Sequence, residues 1–244
     1  MTKLTYWLKR PIEKFSYYTG RAFFQRRLKN YFDFRIIGEE NLPKESAIVV
    51  PNHQTGIDGL ILSTCLSRHI HFLIQNEGVY DSKLKFCLWA IGEIPVNIDK
   101  RSTNKIVLKR AEDYLQHCRD FIGIFSEGPS KELVDENGEI IPVFRREHYL
   151  GAAHLAIKNM RSIIPIGIRL AEDFINDLWT FPISAENKKR KFLESTVADY
   201  GKIPYVINIG MPVFTNCKDD RNKLTEKVRL EICRLYEEAE KYLK

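Results

Sequence analysis

Residues 47–58 read AIVVPNHQTGID, and this stretch decides the fold. Its first four residues are apolar and three of them are β-branched, which is typical of a strand buried in a sheet. The polar segment that follows contains Gly56 and indicates a loop at the strand's carboxyl end. Ligands of α/β sheets bind at this edge. We therefore expect an α/β fold with a functional site directly after this strand.

His53 and Asp58 are the two chemically potent side chains of this loop. In an uninterrupted helix, five residues would rotate one side chain by roughly 500° from the other, so the two would lie on different faces. A turn through Thr55 and Gly56 removes this difficulty, because it lets Asp58 open the next helix while His53 stays on the loop. The carboxylate then accepts a hydrogen bond from one imidazole N–H group, and the other nitrogen is able to act as a base.

The rest of the chain alternates between strand and helix patterns. Strands are predicted near residues 34–37, 70–74, 92–98, 121–125, 163–168 and 203–213, with helices between them. This alternation predicts a mostly parallel central sheet flanked by helices. The final helix places apolar residues at helical spacing, namely Leu224, Val228, Ile232, Leu235, Ala239 and Tyr242. At 244 residues, the chain accommodates one such domain over residues 36–244, preceded by an N-terminal segment over residues 1–35.

Composition narrows the class of protein. Apolar residues make up 44% and charged residues 29% of the chain, which are globular values and argue against disorder. No run of eighteen apolar residues is present to span a bilayer, and the N-terminus has no signal-peptide apolar core, so we expect a cytoplasmic protein. The five cysteines form no C-x-x-C pair, and we expect them to be buried hydrophobic residues without a disulfide or a structural metal.

Basic and aromatic residues are concentrated in residues 1–35. This segment carries nine Lys or Arg against two acidic residues, together with ten aromatic rings. Cations interleaved with amphipathic rings are typical of a helix in the lipid headgroup region, so we expect a peripheral attachment to the inner face of the cell membrane. The alternative is that the rings pack on the domain and the cations are solvated. A nucleic-acid partner is not expected, because the charge of the remaining residues is close to zero. Pro11 and Gly20 predict two helical pieces.

Asn52, His53 and Asp58 resemble the N-H-(four residues)-D box of the glycerophospholipid acyltransferases, particularly the bacterial 1-acylglycerol-3-phosphate acyltransferases. The resemblance extends over about residues 36–170. A second box, a glycine followed by an apolar strand and a charged pair, is matched by residues 92–101, with either Lys100 or Arg101 in place of the family's arginine. That cation is implied to hold the acceptor's phosphate. A solvated loop before the next helix explains the same residues equally well.

The third box of the family reads phenylalanine, proline, glutamate, glycine, threonine, arginine. Phe125, Glu127 and Gly128 match it, whereas Ser130 replaces the arginine that the family uses, with the glutamate, on the acceptor headgroup. Lys131 follows one position later, but a point charge does not reproduce the planar fork of arginine. This departure puts a phosphate-bearing acceptor in doubt.

Two further pairs of residues, one of arginines and one of histidines, carry positive charge or metal-binding nitrogens. Arg145 and the neighbouring Arg146 are alternative anion contacts before a predicted helix, or else surface charge. His69 and His71 flank the start of a strand and are interpreted as edge or surface residues without a ligand role.

The resemblance implies an O-acyltransferase that moves a fatty acyl group from acyl-CoA or acyl-carrier protein to the hydroxyl of a lysolipid. His53 and Asp58 are the implied catalytic pair, and Asn52, Lys100 or Arg101, Glu127, Gly128, Lys131 and Arg145 are the implied substrate contacts. No metal or tightly held cofactor is implied. The simplest acceptor is 1-acylglycerol 3-phosphate, which gives phosphatidic acid in phospholipid biosynthesis. Alternatives are another lysolipid or non-phosphate acceptor, or a non-catalytic lipid-binding protein on the same fold.

Overall fold

The computed structural model describes residues 3–75, 88–97, 104–128, 135–136, 141–171 and 186–243. Its centre is one seven-stranded sheet with the strand order β1-β7-β6-β2-β5-β3-β4. The strands are β1 (Phe32–Ile37), β2 (Ile48–Pro51), β3 (Ile70–Gln75), β4 (Ile94–Val96), β5 (Phe121–Gly123), β6 (Ile163–Leu170) and β7 (Ile203–Ile209). The predicted strand before the His53 loop is therefore present as β2, at the middle of the sheet.

The sheet is mostly parallel, as predicted. Strands β6, β2, β5, β3 and β4 all run in one direction. Strand β7 is antiparallel to β6, and β1 is parallel to β7, so these two strands run the other way. The helices are α1 (Lys3–Leu28), α2 (Asp58–Cys65), α3 (Asn104–His117), α4 (Gly151–Asn159), α5 (Glu186–Tyr200) and α6 (Arg221–Ala239).

Two hydrophobic cores lie on the two faces of the sheet. Alternate residues of β2 divide between them, with Val49 in the core that includes α2 and Ile48 in the core that includes α3, α4 and α6. This strand is buried along its whole length because both of its faces are covered. The apolar stripe predicted for the last helix is buried at Leu224, Val228, Ile232, Leu235 and Ala239, whereas Tyr242 is 42% exposed beyond the end of α6.

The N-terminal segment is one helix of 26 residues, so the prediction of two helical pieces was wrong. Pro11 lies inside α1, where a proline costs about 3 kcal/mol because one backbone hydrogen bond is lost. Contacts with α2 offset this cost. The Tyr17 hydroxyl donates to the Ser63 carbonyl at 2.9 Å, and Arg21 Nε donates to the Thr64 carbonyl at 3.1 Å. These carbonyls lie in the last turn of α2. No later N–H group of the helix is present to donate to them, so α1 supplies the donors.

The interpretation of His69 and His71 as edge or surface residues was wrong. Both are buried, with relative exposures of 2% and 0%. The His69 ring stacks on Tyr17 of α1 at a centroid distance of 3.8 Å, and the His71 ring stacks on Tyr114 of α3 at 3.7 Å. Strand β3 lies between β5 and β4, so neither side chain meets solvent at a sheet edge.

The predicted domain boundary at residue 35 falls inside β1, which begins at Phe32. Because β1 pairs with β7 along its length, residues 32–35 are part of the sheet. The helical part of the N-terminal segment ends at Leu28.

Helix α6 lies directly against β6 at Gly167. A Cβ atom at this position would lie 2.4 Å from the Tyr236 nitrogen and 2.5 Å from the Leu235 carbonyl carbon, both of which are backbone atoms. Gly167→Ala should therefore lower the free energy of unfolding by about 1–3 kcal/mol, as overpacking of a close contact does. Denaturant-induced unfolding monitored by circular dichroism measures this change.

Gly151→Ala is the matched control, since nothing lies within 4 Å of a Cβ added there. Its free energy of unfolding should stay within about 0.5 kcal/mol of the wild-type value. Equal stability of the two variants would show that α6 does not approach β6 this closely.

Candidate active site

The loop after β2 brings His53 and Asp58 into direct contact. Nδ1 of His53 lies 2.7 Å from Oδ2 of Asp58, which is a hydrogen-bond distance. Asp58 is the first residue of α2, and the preceding turn contains Thr55 and Gly56, as the sequence predicts. Because the ionised carboxylate only accepts, Nδ1 carries the proton and the lone pair of the neutral imidazole lies on Nε2.

The carboxylate of Asp58 is fully buried and accepts hydrogen bonds from four further donors. Oδ2 accepts from the backbone N–H groups of Gln54 at 2.6 Å and Thr55 at 2.7 Å. Oδ1 accepts from the Thr55 hydroxyl at 2.6 Å and from the Tyr205 hydroxyl at 2.7 Å. Burial alone would raise the pKa of Asp58, but the bonds and charge of His53 and the bonds of Thr55 outweigh it and hold the pKa below its ordinary value. The group is therefore a carboxylate at neutral pH.

The imidazole of His53 is held between the loop and the end of β5. Its ring stacks on Phe125 with a centroid distance of 4.2 Å and an interplanar angle of 22°. Its side chain keeps 13% of its surface exposed. The ring is thus oriented by contacts on two sides and still reaches solvent, as a base that meets an external hydroxyl requires.

Glu127 supports the loop from the turn that follows the neighbouring strand β5. Its Oε2 accepts from the backbone N–H of His53 at 2.8 Å and from Nη1 of Arg146 at 2.8 Å. The same Nη1 donates to the His53 carbonyl oxygen at 2.5 Å, so both backbone groups of His53 are fixed. Burial raises the pKa of Glu127, and the charge of Arg146 opposes that shift.

The two arginines that the sequence left as alternatives have different positions. Arg146 is 4% exposed and is committed to Glu127 and His53. Arg145 is exposed, and its guanidinium lies over the ring of Phe144, 5.7 Å from the centroid. Only Arg145 of this pair has its side chain at the surface, so its predicted contact with an anion stays a prediction.

Asn52 joins the loop to β6. Its Nδ2 donates to the Ile168 carbonyl at 3.0 Å, and its Oδ1 accepts from the Ile168 N–H at 2.6 Å. The side chain is fully buried. Asn52 thereby fixes the start of the loop. Its predicted contact with a substrate stays a prediction.

The remaining predicted substrate contacts fall in two groups. Gly128 is described and has a φ of 93°, a left-handed conformation that favours glycine, and its N–H donates to the Phe125 carbonyl at 3.2 Å. Lys100, Arg101 and Lys131 lie outside the described residues, as does Ser130.

Sequence reasoning missed Tyr205 and gave no role to the Ser126–His148 pair. Tyr205 lies on β7, far along the chain, and no pattern near residue 205 connects it with Asp58. Oγ of Ser126 and Nδ1 of His148 are 2.7 Å apart, directly beside Glu127. Ser126 stands where the third box of the family has a proline, and this departure was a signal in the sequence for its bond with His148.

The Acyltransferase family model matches residues 33–169 of this chain, which include all but the first residue of β1, the His53–Asp58 loop and all but the last residue of β6. The chain belongs to the Acyltransferase family. The matched segment also contains Glu127 and Arg146, whereas Tyr205 lies beyond its end.

Two proteins of this type are similar to the chain. The 1-acyl-sn-glycerol-3-phosphate acyltransferase alpha of Ovis aries is 26% identical over 132 residues, which are 54% of this chain and 43% of that protein. The chain thus matches less than half of the length of that relative. The crystal structure of the 1-acyl-sn-glycerophosphate acyltransferase from Thermotoga maritima has a TM-score of 0.62 at 18% identity, over 93% of this chain and 80% of that chain. This likeness shows a shared fold.

His148 makes the stability of this region sensitive to pH. Burial, followed by the charges of Arg229 and Arg146, lowers the pKa of His148 to about 4. Between pH 4 and about 6.5 the unfolded chain holds a proton on this ring that the folded chain does not hold. The free energy of unfolding should therefore fall as the pH falls through this window, by about 1.4 kcal/mol per pH unit at most from this one group.

His148→Gln removes this contribution, so its free energy of unfolding should change less steeply between pH 6.5 and 4 than that of the wild type. Denaturant titrations at several pH values measure both slopes. His117→Gln, at an exposed position at the end of α3, should keep the wild-type slope. An unchanged slope in His148→Gln would contradict a buried neutral imidazole at this position.

Proposed function

We propose that this protein is an O-acyltransferase that moves a fatty acyl group from a thioester to the hydroxyl of a lysolipid. The observation that carries this proposal is the His53–Asp58 contact of 2.7 Å, at the carboxyl end of β2 and with the imidazole partly exposed. Membership of the Acyltransferase family supports the reaction class. The simplest acceptor is 1-acylglycerol 3-phosphate, which gives phosphatidic acid, and the donor is acyl-CoA or acyl-carrier protein.

The chemistry follows from the tautomer of His53. Nε2 accepts the proton of the acceptor hydroxyl as its oxygen attacks the thioester carbonyl carbon, which forms the new C–O bond and a tetrahedral intermediate. The intermediate collapses when the C–S bond breaks. The leaving thiolate takes the proton from the imidazolium, so the enzyme returns to its starting state. No covalent acyl-enzyme is required.

Asp58 fixes the tautomer of His53 and stabilises its protonated form during this step. Its Oδ2 holds Nδ1–H, which fixes the tautomer with the lone pair on Nε2, and its negative charge stabilises the imidazolium that forms. Since four other donors hold the carboxylate, it does not need to move during the reaction.

An anionic acceptor needs cations near this loop. Arg145, Arg146 and Arg229 lie on the walls of a cleft of about 430 Å³, together with Glu147 and Glu226. Arg229 donates to Glu226 through Nε and Nη2, at 2.8 and 2.7 Å, and Arg146 is bonded to Glu127 and His53, through which the cleft adjoins the site. The exposed Arg145 is therefore the cation of this cleft that we propose for the negatively charged headgroup. Another lysolipid, or an acceptor without phosphate, is the alternative within the same reaction class.

His53→Ala should lower the rate of thioester-dependent acyl transfer by about 10²–10⁴-fold, because that range is typical for the loss of a general base. The measurement is the release of CoA thiol from acyl-CoA, and of carrier thiol from acyl-carrier protein, with a panel of lysolipid acceptors. His117→Ala, at an exposed position remote in sequence from the site, is the matched control and should keep the wild-type rate. Circular dichroism confirms that both variants are folded.

Equal rates in wild type and His53→Ala would show that His53 does not act as the catalytic base. The alternative of a non-catalytic lipid-binding protein would then be favoured. The acceptor that gives the highest rate identifies the substrate. A preference for acceptors without phosphate would contradict the assignment of phosphatidic acid as product.

Attachment to a membrane surface is supported by one face of α1. Ile12, Phe15 and Phe23 are 54%, 75% and 56% exposed, although α1 packs on the domain through its other face. Lys14, Arg26 and Arg27 lie exposed on the same helix. None of the helices in the described residues is long and apolar enough to cross a bilayer. We therefore propose that α1 lies at the surface of the inner leaflet, with its rings in the headgroup region and its cations on anionic lipid.

The double substitution Phe15→Ser and Phe23→Ser should weaken binding to vesicles of phosphatidylglycerol by tenfold or more, because two exposed rings no longer enter the interface. Sedimentation of the full chain with vesicles measures the bound fraction. Phe214→Ser is the control, since Phe214 is 82% exposed elsewhere on the surface. Unchanged binding of the double variant would show that α1 does not contact lipid.

A further inference from the structure

A second cluster of buried polar side chains lies at the opposite end of the strands that carry the site. His69 and His71 are at the amino end of β3, and Asp120 precedes the amino end of β5. All three are buried, with relative exposures of 2%, 0% and 7%. The acyl-transfer proposal uses none of them, because His53 is at the carboxyl end of β2, which runs parallel to β5.

The hydrogen bonds of the two imidazoles fix where their lone pairs lie. Nε2 of His69 is 3.0 Å from the Ile91 carbonyl oxygen, and Nδ1 of His71 is 3.0 Å from the Gly92 carbonyl oxygen. A carbonyl only accepts, so each of these nitrogens carries the proton. The lone pairs therefore lie on His69 Nδ1 and His71 Nε2. A ring N–H on a backbone carbonyl, with the other nitrogen available, is the arrangement of histidines that bind metal.

These two lone pairs converge with the carboxylate of Asp120. Oδ2 of Asp120 lies 3.1 Å from His71 Nε2 and 3.8 Å from His69 Nδ1, and the three ligand atoms all lie within 4.8 Å of one another. Ligands at about 2.05 Å from a tetrahedral zinc ion are roughly 3.3 Å apart. Among the described residues, His69 Nδ1 has no hydrogen-bond partner although it is buried. Small side-chain adjustments bring the three atoms to the separations that such an ion needs.

A cation already lies at this cluster. The guanidinium of Arg10, on α1, contacts Asp120 through Nη2, and its Nη1 lies 3.4 Å from His71 Nε2. A guanidinium only donates, and this one lies beside His71 Nε2, Asp120 Oδ2 and, on its own helix, the carboxylate of Glu13 at 3.5 Å. The cluster is therefore an electronegative site built to hold positive charge.

We propose that His69, His71 and Asp120 form a binding site for one divalent transition-metal ion of the zinc class, and that Arg10 competes with the metal for it. Two imidazole nitrogens and one carboxylate oxygen are a donor set that suits such ions. The metal and the guanidinium share Asp120 Oδ2, so metal binding and the docking of Arg10 against the sheet oppose each other. Because Arg10 belongs to α1, the ion loosens the contact between this helix and β3.

Cobalt(II) is the probe, because its visible absorption reports both binding and coordination by nitrogen and oxygen. Arg10→Gln removes the competing charge and keeps a polar side chain. In the full chain, this variant should bind one Co²⁺ at least tenfold more tightly than the wild type. The variant Arg10→Gln/His71→Gln should lose this binding, because it lacks one ligand. Arg10→Gln/His117→Gln, which removes an exposed histidine instead, should retain it.

Thermal unfolding gives a second readout that does not depend on absorption. A metal that binds the folded chain raises the melting temperature, so Zn²⁺ should stabilise Arg10→Gln but not Arg10→Gln/His71→Gln. The Zn²⁺-induced shift in melting temperature is measured against the same variant without Zn²⁺. A lower stability of Arg10→Gln itself therefore does not affect this comparison. If Co²⁺ affinity and the Zn²⁺-induced shift are the same in Arg10→Gln and Arg10→Gln/His71→Gln, the proposed site is excluded.

Discussion

The carboxylate of Asp58 is the group on which the site depends. It is fully buried, and its two oxygens accept from the imidazole of His53, two backbone N–H groups and two hydroxyls. A buried charge without such partners would be costly by several kcal/mol. Four of these donors belong to His53, Gln54 and Thr55 of the loop, and the fifth, the Tyr205 hydroxyl, belongs to a distant strand. The interactions that keep the carboxylate charged therefore also fix the loop, the start of α2 and the orientation of the imidazole.

A second buried pair holds the same loop from the other side. Glu127 and Arg146 neutralise each other and contact the N–H and the carbonyl of His53. Removing one partner would leave an unpaired buried charge, so the two act as a unit. The family resemblance implies that Glu127 meets the acceptor, but its bonded oxygen is occupied by His53 and Arg146. In the proposed reaction with an anionic acceptor, the exposed Arg145 is the cation that we propose to contact its headgroup.

The two faces of α1 differ in their surroundings. Tyr17 packs against His69, and its hydroxyl bonds to the end of α2, so part of the aromatic content belongs to the fold. Phe15 and Phe23 point away from the domain and are exposed. Among the side chains of α1 that the structure describes, the buried ones are Arg10, Glu13, Tyr17 and Leu28, so both polar and apolar groups dock this helix on the domain.

Local patterns in the sequence were enough to predict the parallel sheet, the strand before the loop, the apolar face of α6 and the proximity of His53 and Asp58. These features depend on neighbours within a few residues, namely the period of apolar positions and the turn at Thr55 and Gly56. Only the tertiary structure decided that Tyr205 donates to Asp58, that Arg146 and not Arg145 supports His53, and that His69 and His71 are buried against Tyr17 and Tyr114. Such contacts join residues between 43 and 147 positions apart, or distinguish two adjacent arginines by the direction of one side chain. No pattern along the chain encodes them, because they exist only once the sheet has brought distant strands and helices together.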